Sequence, residues 1–214
     1  MKMKYLASAL ALATLTVGTT GVAQAVDVSS DKYVVKIGIA DVEPKSDNGT
    51  VYTALGDFGV DISNSVRPSV TFEYLITPNI GVELLAAWPF SHDIELDHGV
   101  GKVGSVDLLP PTLSLQYHFL PGAVVSPFVG VGINYTFIYG EDSKGVLTGN
   151  QLDVDDAWGF AAHVGIDFNI TENWLITADV RWIKLNADVS LNDTKIGSVD
   201  IDPWVWGLAV GYRF

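Results

Sequence analysis

Val199-Asp-Ile-Asp-Pro-Trp-Val-Trp-Gly-Leu-Ala-Val-Gly-Tyr-Arg-Phe214 closes the chain. At every second position from Trp204 onward stand Trp204, Trp206, Leu208, Val210, Tyr212 and Phe214; between them stand Val205, Gly207, Ala209, Gly211 and Arg213. A period of two is a strand. One face is wholly apolar with aromatics at its ends, while the other holds small residues and a charge, the reverse of a strand that packs bulk inward. The greasy face therefore meets lipid. Hydrocarbon offers no partner to an unpaired backbone group, so such a strand requires a closed barrel.

The same alternation recurs upstream. Strands are expected near 33–40, 66–76, 80–90, 109–119, 128–139, 158–170 and 174–182. The last of these loses parity at Ile183, where a bulge is expected. Long polar loops are expected at 41–65, 91–107, 140–156 and 191–198. Short turns alternate with them, among them Thr77-Pro78-Asn79, the Pro121-Gly122 link and Thr171-Glu172-Asn173. The count is eight strands, an all-β, antiparallel, up-and-down transmembrane barrel of the bacterial outer-membrane kind.

The start of the chain reads as an export signal: Lys2 and Lys4, an apolar run Tyr5 to Val17, and the small-residue site Ala23-Gln-Ala25. The expected division is a cleaved leader, 1–25, and one barrel domain, 26–214. The formal net charge is −13 and the leader carries no acid, so a nucleic-acid partner is excluded for want of a basic footprint. Cysteine is absent, so no disulfide contributes.

Several stretches resemble the outer membrane protein W family: Asn79-Ile-Gly-Val-Glu-Leu-Leu-Ala-Ala with Pro89-Phe90, Leu109-Pro-Pro-Thr-Leu, Pro127-Phe-Val-Gly-Val-Gly-Ile-Asn-Tyr135, Trp158-Gly, Asp202-Pro-Trp and Gly211-Tyr-Arg-Phe214. The resemblance covers nearly all of 26–214 in the same order. It implies an eight-stranded outer-membrane barrel with an apolar channel for passage of small hydrophobic molecules; the role expected here is passive uptake and not enzymatic. Two other classes stay open: a closed structural or surface-receptor barrel, and a lipid-modifying enzyme. The expected partners are outer-membrane lipid and lipopolysaccharide, small hydrophobic solutes, and the barrel assembly machinery through the strand ending at Phe214. The expected state is monomeric, and no cofactor or metal is implied.

Inward positions carry Lys36, Arg67, Arg181 and Arg213 against Glu73, Glu83, Asp167 and Asp179. A lumen of eight strands is about filled by side chains, so this balance of sign reads as a paired plug; an ion-selective pore would favour one sign. Toward the long-loop end the inward positions turn apolar, with Leu85, Ala87, Leu108 and Leu109, and the first loop offers Val51, Leu55 and Phe58. These either line a greasy funnel or pack loops onto the barrel. An apolar solute gains nothing by crossing ion pairs, so it is expected to leave sideways where prolines interrupt the ladder: Pro68, Pro89, Pro110 and Pro111, with Pro203 a further interruption.

The remaining motifs carry less. Gly99-Val-Gly101-Lys-Val-Gly104 fits a dinucleotide pattern but lacks a strand-turn-helix setting. His92, Asp93, Glu95, Asp97 and His98, like Asp153, Asp155 and Asp156, are metal-capable types that ordinary acidic loops also contain. Ser114 and His118 stand four apart on one strand, about 13 Å, too far for the histidine to activate the serine. The inward Gly165 is expected to accept serine at small cost.

Overall fold

The structure is a computed structural model that describes residues 31–46, 48–53, 56–97, 99–145 and 148–214. The leader expected at 1–25 lies outside the described residues, as do Leu55 and His98. Fourteen strands run β1 Tyr33–Glu43, β2 Thr50–Thr53, β3 Gly56–Ile62, β4 Ser65–Thr77, β5 Ile80–Ala87, β6 Phe90–Leu96, β7 Gly101–Leu109, β8 Thr112–His118, β9 Val125–Ser143, β10 Leu152–Val154, β11 Ala157–Asn169, β12 Trp174–Leu191, β13 Thr194–Asp200 and β14 Trp204–Arg213.

Eight of them pair antiparallel in a closed cycle, β1–β4–β5–β8–β9–β11–β12–β14 and back to β1. The expectation of eight strands in all is corrected to fourteen. The stretches read as loops hold β2, β3, β6, β7, β10 and β13, which pair with one another and with the long ends of β9 and β12. They raise a rim above the ring.

Lipid and water divide at that rim. Exposed large apolar side chains cover the outer face of every ring strand, yet Tyr52 is the sole one on the six rim strands. Below the division, lipid holds apolar residues outward and the lumen takes polar ones; above it, water stands outside and the interior turns apolar. β12 shows the inversion without any loss of register. Leu175, Thr177 and Arg181 point inward, and so do the buried Ile183, Leu185, Ala187 and Val189, while Lys184 and Asn186 are exposed. No bulge stands at Ile183, which pairs with Ala161 in a continuous ladder; the shift in register lies at Val189/Ser190. The solvent changes there, and the pleat does not.

Turns follow their local chemistry. At the end opposite the rim, Thr77 Oγ1 accepts from the N–H groups of Asn79 and Ile80, and Thr171 Oγ1 does the same for Asn173 and Trp174. Asn192 and Asp193 both take positive φ, 53° and 61°, and join Leu191 to Thr194 as a two-residue hairpin whose twist suits the strands. Gly99 and Gly101, at φ 81° and 75°, turn β6 into β7, so the glycine motif is a hairpin tip and not a strand-to-helix loop.

Aromatic side chains gather at both edges of the lipid-facing belt. Tyr33, Phe72, Tyr74, Tyr212, Phe214 and Trp174 touch one another near the turn end. Tyr135, Phe137 and Trp158 cluster nearer the rim. Such girdles mark membrane interfaces.

Candidate functional site: an apolar rim cavity above a buried ion network

The interior of the ring is a cross-braced polar network. Arg181 Nη2 donates to Glu83 Oε1 at 2.7 Å and Nη1 to Ser114 Oγ at 3.3 Å. Lys36 Nζ lies 3.6 Å from Glu83 and 3.1 Å from Glu73. Glu73 meets His118 Nε2 at 2.7 Å, His118 Nδ1 lies 3.6 Å from Asp167, and Thr177 donates to Asp167. These contacts run β12, β5, β1, β4, β8, β11 and back to β12, so every link spans the lumen or a seam. Lys36 also lies 5.3 Å from the centre of the Phe128 ring on β9.

Five of the eight expected plug residues thus come together: Lys36, Glu73, Glu83, Asp167 and Arg181. Asp179 reaches Arg181 at 4.0 Å and keeps 22% of its side chain exposed, a looser member. Arg213 lies nearer the turn end, donating to Asn169 at 3.4 Å. Arg67 is a correction: it shares the inward parity but donates to the carbonyls of Pro89 and Val66, above the network. Ser114 and His118 bond to Arg181 and Glu73 and not to each other.

Between network and rim lies a belt of buried polar groups. Thr136 donates to Asn134 Oδ1, and Asn134 Nδ2 donates to Thr112 and to the carbonyl of Pro111. Above this belt the interior is aliphatic. A narrow cavity of about 50 Å³ is lined among others by Val51, Val60, Leu96, Val106, Leu152 and Ile196. A second, smaller chamber of about 20 Å³ lies against Val42, Phe90, His92, Pro110, Thr136 and Val205. Leu108 and Ile201 line both.

Of the expected funnel residues, Val51 and Leu108 line the aliphatic cavity, and Phe58 and Ala87 pack against the same apolar cluster. Leu109 is half-buried beside the chamber, pairing with Phe137. Leu85 is corrected: it lines a small pocket with Lys36, Glu83 and Arg181, at the upper edge of the network. The larger share of the lining, such as Val60, Leu96, Val106 and Leu152, was missed because those stretches read as loops. Their signal was parity: Phe90, His92, Ile94 and Leu96 alternate with Ser91, Asp93 and Glu95.

The wall has a break at the same height. The β5–β8 ladder ends at Leu85↔Thr112, and the β6–β7 ladder begins at Phe90↔Leu108. Between them, among the described residues, no ladder pair joins Ala86–Pro89 to Leu109–Pro111. The two lips are held to other strands: Trp88 N–H donates to Pro68 O and Arg67 Nε to Pro89 O on one side, while Tyr135 N–H and Asn134 donate to Pro111 O on the other. Prolines supply no N–H across the gap. Pro68 itself stays in the β1–β4 ladder opposite Ile39.

Metal-capable residues of β6 and of the turn that follows it are otherwise engaged. Asp93 pairs with Lys102 at 2.6 Å, Asp97 accepts from Gly59 N–H, and His92 is wholly buried. No group of three metal-capable side chains forms among the described residues.

A closed lipid-facing ring, aromatic belts and a braced lumen define an outer-membrane β-barrel protein. The OmpW family model matches residues 29–214. A relative from Salmonella typhi, outer membrane protein W, is 38% identical over 221 residues, 99% of each chain. The chain belongs to the OmpW family, and its place is the bacterial outer membrane. The crystal structure of OprG from Pseudomonas aeruginosa superposes with a TM-score of 0.78 at 28% identity, covering 87% of this chain and 97% of that one. A further relative, the dibenzothiophene metabolism operon protein PahQ of Pseudomonas aeruginosa, is 30% identical over 72% of this chain and 74% of its own.

Proposed function

We propose that the barrel is a passive route for small apolar solutes, which enter the aliphatic rim cavity from outside the cell and leave sideways into the membrane through the break between Ala86–Pro89 and Leu109–Pro111. The observation that carries this is an all-aliphatic cavity stacked above a buried ion network, across the polar belt of Thr112, Asn134 and Thr136, with the unpaired stretch of wall between them. An apolar solute that went on downward would have to displace paired charges and would leave them unsatisfied, which costs several kcal/mol. The break offers an apolar exit at the level where the lipid belt begins, beside Trp88. A relative named for a dibenzothiophene metabolism operon supports a fused-ring apolar solute as one substrate class. In this reading the rim faces outward, the leader 1–25 is removed, one copy suffices, and the strand ending at Phe214 is what the assembly machinery grasps.

Uptake of dibenzothiophene by proteoliposomes tests it. Leu108→Trp, which fills the junction of cavity and chamber, is expected to cut uptake at least tenfold. Glu83→Gln with Arg181→Met, which removes the central pair together, is expected to leave apolar uptake near wild type. The opposite pattern rejects lateral exit in favour of an axial pore.

A further inference from the structure

The aliphatic cavity measures about 50 Å³. An apolar cavity that takes up benzene measures about 150 Å³, so the rim must part before a solute with even one ring goes in. The ladders around the rim decide where. β6 pairs with β7 from Phe90 to Leu96 and β12 with β13 from Asn186 to Leu191. β3 meets β6 at Val60–Ile62, and Asp97 then exchanges bonds with Gly59. β9 and β10 share no ladder pair among the described residues, but side chains tie them at both ends: Asp156 accepts from Ile138 N–H and Tyr135 O–H, and Ser143 Oγ donates to the carbonyl of Asn150. Between β2 and β13 a single ladder pair, Gly197↔Val51, is made among the described residues. Below that pair the seam is pinned at the wholly buried Asn48, whose carbonyl accepts from Asp200 N–H and whose Nδ2 donates to Asp200 O. Above it, no ladder pair joins Tyr52 to Ile196.

We infer that the β2–β13 seam is the port through which apolar solutes enter the rim cavity, opening above the Asn48–Asp200 base. Segments held by few backbone bonds open first, and this seam has far fewer to break than the laddered seams on either side. The cavity lies directly behind it: Val51 and Val60 line it from the β2–β3 side, Ile196 and Val199 from the β13 side. Parting the seam therefore bares aliphatic lining on both edges while the rest of the rim keeps its pairing. Tyr52, next to the single pair, is 61% exposed and is the one exposed large apolar side chain on the rim strands among the described residues. Its ring gives a fused-ring solute a face to stack on at the mouth of the port. The inference deepens the uptake reading and rests on it for its place in transport, although access to the cavity is measurable without transport.

The chain has no cysteine, so one engineered disulfide can lock the seam. A Cβ at position 197 would lie 3.5 Å from Val51 Cα and 3.7 Å from its Cγ1, within reach of a disulfide. Val51→Cys with Gly197→Cys is placed in proteoliposomes and compared with itself, closed by oxidation (or by a bis-methanethiosulfonate where oxidation is incomplete) and reopened by reduction. Closing is expected to cut dibenzothiophene uptake about tenfold, and reduction to restore it. Ser91→Cys with Asp107→Cys, a pair that locks the already laddered β6–β7 seam, is expected to leave uptake unchanged. Equal uptake in both states of the first pair, or equal loss with both locks, overturns the inference. The same samples are labelled with an apolar diazirine probe and mapped at the cavity-lining Val60 and Leu96. Adducts lost on closing the β2–β13 seam, together with no uptake in either state, support the port and reject the uptake reading. Adducts that persist with that seam locked overturn the port.

Discussion

Arg181 Nη2 sits 2.7 Å from Glu83 Oε1, with both side chains closed to solvent, and the pair joins β12 to β5 across the lumen. Removing one partner leaves the other charged and buried, whereas removing both leaves none. Glu83→Gln or Arg181→Met alone is therefore expected to destabilise the barrel by about 3 to 5 kcal/mol, and the double variant by less than the sum. Urea unfolding in lipid vesicles, run as a double-mutant cycle, measures this. Additive losses would show that the pair is not coupled.

Leu84 and Val164 stand on the lipid face in mid-strand, both about half exposed. Arginine at either position is expected to cost about 2 to 4 kcal/mol. Lys184→Leu, on the water-facing stretch of β12 above the inversion, is expected to change stability by less than about 0.5 kcal/mol. The contrast tests where lipid ends, by the same unfolding measurement. An Arg variant of Leu84 as stable as wild type would contradict the register of β5.

Gly165 does not accept serine cheaply, contrary to the parity reading. A Cβ there would lie 2.3 Å from Phe128 Cζ and 2.8 Å from Asp179 Cβ. Phe128 is itself held between the rings of His118 and His163, so it has little freedom to retreat. Gly165→Ser is expected to cost about 1 to 3 kcal/mol, and Phe128→Leu is expected to rescue part of it in vesicle unfolding.

His92 also predicts a pH dependence. Burial lowers its folded pKa, so the folded form takes up a proton less readily than the unfolded chain. Its contribution to stability is complete above about pH 6.5 and is lost as pH falls through the folded value, by at most about 1.4 kcal/mol per unit. Wild-type stability minus that of His92→Phe, measured from pH 7.5 to 5, is expected to decline with falling pH. A flat difference would mean that the ring is not held neutral by the fold.

Which parts of this molecule were legible in sequence follows from which solvent each face meets. Ring strands announced themselves because lipid demands an unbroken apolar face, and Trp204 to Phe214 shows it over a whole strand. The rim strands hid because their outer residues are water-facing: Ser91, Asp93 and Glu95 made β6 read as a loop although Phe90, His92, Ile94 and Leu96 alternate with them. Ile183 looked like a broken parity because hydrophobicity changed sides while the pleat continued. Charge pairing in the lumen followed from parity and crowding, but which inward charge joins the network did not. Arg67 and Leu85 share the right face, and only their height along the axis separates them from the roles first read for them.

The path of the solute is the central claim, and photo-crosslinking from the outside tests it most directly. A diazirine-bearing apolar probe, added to cells displaying the full chain and activated by light, is read out by peptide mass mapping of inward-facing residues. Adducts are expected above the Glu83–Arg181 pair, at Leu108, Ile201 and Ala87. Adducts inside the barrel below it, at Thr177, Asp167 or Leu175, would place the probe on an axial path through the ion network and contradict the account.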